Sequence, residues 1–171
     1  MHPGDITVSC MASDREIKGP EMDREKLEIL LSESLRDLYL RDLGMLERDA
    51  NERTITGRLG RYIEDRIEGY DVTVEYNRHG IDPKEVELPD NDGVLTLQRV
   101  MPDIIVHHLG DDSDNLLVIE AKKTSNPAPD NRDIEKLTAL KQNIGYRFAV
   151  FLRLLVGREA DVRLVQIHLV E

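Results

Sequence analysis

The sequence predicts a mixed α/β fold in which helices cover one central mixed sheet. Leucine and isoleucine recur at helical spacing in three charge-rich segments, and five short runs rich in Val, Ile and Leu are bounded by turn residues. In chain order they read helix, helix, strand, strand, strand, helix, strand, strand. That succession is too mixed for a bundle or a sandwich, and it sets the class.

Residues 1–22 carry Gly4, Gly19 and Pro20 without periodicity and read as a flexible N-terminal arm. A single domain is expected over 23–171, beginning with an extra helix over 23–48. Leu27, Leu30, Leu31, Leu35, Leu38 and Leu43 mark that helix, with a break expected at Gly44. Asn51 caps a second helix running to about Glu68 and ending at Gly69, with Ile55, Leu59, Ile63 and Ile67 as its buried stripe. Residues 72–76 alternate as a strand, and residues 79–93, with Gly80, Pro83, Pro89 and Gly93 among acids, read as loop. Strands follow over about 102–108 and 115–121, joined by a turn rich in Gly, Asp and Ser. After a loop over 125–131, Ile134, Leu137, Leu140 and Ile144 mark a helix over 131–144. Strands over 147–155 and 161–169, linked through Gly157, close the chain.

A chain of 171 residues is long enough to bury one sizeable core. It has no apolar stretch of membrane-spanning length, and its polar N-terminus does not read as a signal peptide. Cys10 is the only cysteine, which excludes a disulfide framework and a cysteine-built zinc site and suits a cytoplasmic setting. The net charge of −11 argues against a passive nucleic-acid coat protein. The charge is uneven, however: the acidic excess lies before residue 121, and a basic excess begins at Lys122.

That boundary coincides with the chain's most informative residues. Pro102-Asp103 leads into the apolar run Ile104-Ile105-Val106, and Leu116-Leu117-Val118-Ile119 leads into Glu120-Ala121-Lys122. Such runs read as buried strands, where an uncompensated charge is costly. A hairpin centred near residues 111–112 sets Asp103 opposite Glu120, with Cβ atoms about 5 Å apart. Lys122, two residues beyond Glu120, points to the same face. Two carboxylates so close repel unless a cation lies between them, and Mg²⁺ favours carboxylate oxygens together with water. Glu52 falls on the core-facing stripe of its helix. It reads either as a third carboxylate for the cluster or as a first-turn acid that complements the helix dipole.

Pro102-Asp103, Glu120-Ala121-Lys122 and a preceding helix bearing Glu52 resemble the PD-(D/E)xK phosphodiesterase superfamily, which has the restriction-endonuclease-like fold. The element order from about Asn51 to Leu155 matches that superfamily's helix, three strands, helix, strand core. The resemblance implies a metal-dependent nuclease. Asp103 and Glu120 would hold Mg²⁺ or Mn²⁺, with the Ala121 carbonyl as an extra ligand and Glu52 completing the site or binding a second ion. Lys122 would position or deprotonate the attacking water. The implied partner is nucleic acid, DNA ahead of RNA.

Arg78, Lys123, Arg132, Lys136 and Lys141 are candidates for a cationic rim that meets the backbone of that partner, set against the plainer reading of solvated charge. His107-His108 is a poor metal pair, because adjacent strand residues face opposite ways. With no Trp and seven Phe and Tyr in all, base stacking cannot be the main binding mode. The rival reading keeps the fold without catalysis, as a module that binds nucleic acid or a protein. A homodimer through the leucine-rich 23–48 helix fits either reading.

Overall fold

The computed structural model describes residues 5–6, 17–18, 22–76, 78–79, 82–90, 92–111 and 113–171, with the backbone alone at 5–6, 17–18, 78–79 and 82–83. Two short strands come first, β1 (Asp5–Ile6) and β2 (Ile17–Lys18). Met22, at the end of the predicted arm, is buried and its carbonyl accepts from Arg147, and the rest of the arm lies outside the described residues. Helix α1 (Arg24–Arg41) starts where the Asp23 carboxylate accepts from Lys26 N–H, a side-chain N-cap. It ends at Asp42, and a short α2 (Leu43–Glu47) follows. The break therefore precedes Gly44, because the Asp42 carboxylate turns away to Arg58 and the Tyr62 hydroxyl.

Helix α3 (Glu52–Glu64) begins at the predicted cap, with Asn51 accepting from Thr54 N–H at 2.8 Å. It is shorter than expected. Ile67–Glu68 leaves the helix as strand β3, parallel to β2. Strand β4 (Asp71–Val74) passes so close beneath α3 that a Cβ on Gly60 would lie 2.8 Å from Val74 Cγ2.

The described residues of the predicted 79–93 loop are instead largely strand: β5 (Arg78–His79), β6 (Asp82–Pro83) and β7 (Glu85–Pro89), the last paired with β8 (Leu95–Arg99). Prolines and acids hid the alternation that buries Val86 and Leu88. Strands β9 (Ile104–His107) and β10 (Leu117–Lys123) form the expected hairpin, with Leu117, Val118 and Ile119 opposite Val106, Ile105 and Ile104. Helix α4 (Asn131–Ile144) ends at Gly145, whose φ of 83° provides the left-handed cap. It returns the chain to β11 (Phe148–Leu154), parallel to β10. Part of the last predicted strand is a 3-10 turn at Val162–Leu164, capped by Asp161, before β12 (Gln166–Val170).

The main sheet runs β1-β12-β11-β10-β9-β4, mixed and flanked by helices, as the class predicts. One face carries α1 and α3 over Ile104, Val106, Leu117 and Ile119, and the other carries α4 over Ile105, Val118, Ala149 and Phe151. The leucine stripe of α1 is spent inside this core. Leu27, Leu30, Leu31, Leu35 and Leu38 are fully buried, so the face expected to pair two copies is covered by the chain itself. Among the described residues no helix is long and apolar enough to cross a membrane.

Candidate functional site

The site lies where β9 ends and β10 does not. Pairing with β9 stops at Ile119, whereas β10 runs on through Lys123, still paired with β11 along its other edge. Continued one step past Ile119 and Ile104, the same register would set Glu120 opposite Asp103.

On the vacated edge, two carboxylates replace the missing strand. Asp103 Oδ2 accepts from Ala121 N–H at 2.8 Å, and Glu52 Oε2 accepts from Lys123 N–H at 3.0 Å. Glu52 reaches the edge because the Asn51 cap makes it the first residue of α3. An extended residue points its N–H and C=O to the same side, so the Ala121 carbonyl faces this gap as well.

Glu120 alternates to the other face, beneath α4, and is 4% exposed. Its Oε2 pairs with Lys136 Nζ at 2.6 Å, and its Oε1 is buried with no hydrogen-bond partner. Burial pushes the Glu120 carboxyl up to about 8, opposed by the Lys136 charge and reinforced by Asp103. Burial likewise raises Asp103 to about 6, opposed by the Ala121 N–H bond and Lys136 and reinforced by Glu52 and Asp133. Burial thus disfavours charge on both acids, and one Glu120 oxygen is left without a donor.

Lys122 shares the Glu120 face, as expected, but is turned to the start of α4. It forms a close ion pair with Asp133, donates to Pro129 O at 2.9 Å and lies 3.7 Å from Asp130 Oδ1. Arg153 from β11 ties the same loop down through Asp130 and the carbonyls of Lys123 and Asn126. The result is a cross-matched pair of ion pairs. Glu120 and Lys122, two apart on a strand, meet Lys136 and Asp133, three apart on a helix. Sequence reasoning missed Asp133 and assigned Lys136 to the rim. The complementary spacing on α4 was the available signal.

The other rim candidates also have partners within the chain. Lys123 bonds Asp49 at 2.8 Å and the Ala50 carbonyl, Arg132 bonds Pro89 O and Gln98, and Lys141 bonds Val170 O. The Arg78 side chain lies outside the described residues. His107 meets Thr73 and Tyr76 while His108 stacks on Tyr70, so the two rings have separate surroundings.

Among the described residues no three His, Cys, Asp or Glu side chains converge as a ready ligand set. An ion here would draw on Asp103 and Glu120, with main chain and water completing its shell, which is how proteins commonly hold Mg²⁺. Compared with protein-family models, with curated proteins and with solved structures, the chain matches none.

Proposed function

We propose that the chain is a metal-dependent phosphodiesterase of the PD-(D/E)xK kind that hydrolyses nucleic acid, DNA ahead of RNA. One observation carries the reading. Two carboxylates are brought together at the open end of a buried strand pair, and the deeper one keeps a buried oxygen without a donor. The run from α3 through β4, β9 and β10 to α4 and β11 supports it, being the element order of the restriction-endonuclease-like core.

Asp103 and Glu120 would hold Mg²⁺ or Mn²⁺, with the Ala121 carbonyl beside them. The bound ion supplies a water nucleophilic near neutral pH and a contact that offsets charge on the phosphate. Asp103 is oriented by Ala121 N–H, which fixes one oxygen, and the carboxylate would help hold the ion. Glu52 braces the strand end through Lys123 N–H and adds negative potential beside Asp103. The apolar strands behind the pair keep bulk water off one side, which strengthens every charge interaction at the edge.

The test is cleavage of supercoiled plasmid and of single-stranded DNA and RNA in Mn²⁺. Asp103→Ala is expected to lower the rate about a thousandfold, roughly 4 kcal/mol of transition-state stabilisation, with an unchanged melting temperature. A wild-type protein that binds no Mn²⁺ and cuts none of these substrates sinks the proposal. The enclosure of Lys122 by Asp133 and two main-chain carbonyls favours a second reading, a restriction-endonuclease-like module that binds without cutting. Metal-independent retention of DNA by the Asp103→Ala variant, with no cleavage by wild type, is its signature.

A further inference from the structure

The two lysines beneath α4 differ in what their ammonium groups have left to give. An ammonium has three N–H donors and no acceptor. Those of Lys122 are taken up by Asp133, Pro129 O and, at 3.5 Å, Ala128 O, and its side chain is 9% exposed. Lys136 has Glu120 Oε2 at 2.6 Å and the Met101 carbonyl at 3.3 Å, and its side chain is 20% exposed. That leaves Lys136 one donor with access to solvent. Met101, half-exposed, belongs to the segment that leads into Asp103. Lys136 therefore bridges the approaches to both acids, and Lys122 bridges strand and loop.

We propose that Lys136, rather than Lys122, is the ammonium that serves the acid pair. It pairs with Glu120 while no cation is bound, and its free donor meets a phosphate oxygen of the substrate when one is. This rests on the phosphodiesterase reading. It makes Lys122 a positioning residue that anchors the first turn of α4, from which Lys136 is presented one turn later.

Calorimetric titration of the full chain with Mn²⁺ at low salt tests it, on wild type and on Lys136→Met, Lys136→Arg and Lys122→Met. Removing the competing ammonium is expected to tighten Mn²⁺ binding by about tenfold in Lys136→Met, while Lys136→Arg stays near wild type and Lys122→Met shifts less than about threefold. Cleavage is expected to move the other way, falling about a hundredfold in Lys136→Met despite the tighter metal. A merely structural lysine would not split binding from turnover in this manner. Lys136→Gln carries the same comparison should the methionine variant fail to fold. Equal Mn²⁺ affinity in wild type and Lys136→Met overturns the lysine assignment and leaves the nuclease reading standing. Absence of Mn²⁺ binding from every variant overturns both.

Discussion

Leu117–Ile119 and Glu120–Lys123 belong to one strand and share one neighbour in β11, yet they are stabilised differently. The first three residues have main-chain partners on both sides, and their side chains are fully buried among aliphatic residues. The last four have a strand on one side only. Carboxylates from a helix start and a strand start stand in for the other. The first half gains from dispersion and exclusion of water, which are insensitive to pH. The second half gains from directional bonds to charged groups and bears their desolvation, so its balance shifts with protonation and with any bound cation. A strand that outlasts its neighbour offers free N–H and C=O groups at the margin of a dry core. Buried charge can be organised there without breaking the ladder.

The largest effect on stability is expected in the apolar half. Ile119→Ala should cost about 2–5 kcal/mol in urea unfolding and should cost the same at every pH. A pH-dependent loss would mean that the two halves are coupled.

Glu120→Gln tests the charged half. Burial holds this carboxyl near 8 against 4.5 when exposed, so the folded state keeps a proton that the unfolded state gives up. The resulting penalty is absent below about pH 4.5, grows as pH rises and is complete above about 8. Wild type should therefore lose ground to Glu120→Gln by about 2–4 kcal/mol between acidic and mildly alkaline pH, measured without metal. A constant gap between the two proteins would show that Lys136 already neutralises the group in full.

Smallest is Glu52→Gln, expected to cost about 1 kcal/mol through a weakened bond to Lys123 N–H. Amide exchange at Lys123 should quicken while exchange at Ile119 stays as it is. If both quicken, the strand end is not an independent unit.

Much of this was legible in the chain because it rests on local chemistry. The cap at Asn51, the apolar runs of β9 and β10 and the turn between them are written in residue types whose preferences act over a few positions. The turn position alone set the register of β9 against β10. The hairpin of β7 and β8 was obscured because prolines, glycine and acids satisfy loop statistics even where Val86 and Leu88 alternate inward. Lys122 illustrates the other kind of failure. The strand period assigned its face correctly, but its partner is on a helix that contributes a competing carboxylate.

The sequence by itself determined the α/β class and the register of β9 against β10, since periodicity and turn chemistry act within short stretches of chain. Tertiary structure alone decided which ammonium reaches Glu120, that Asp133 encloses Lys122 and that the leucines of α1 are spent on the core. Each of those depends on how a helix is set against the sheet. Contacts between segments distant in sequence are fixed by packing and charge competition, and no local pattern encodes their outcome.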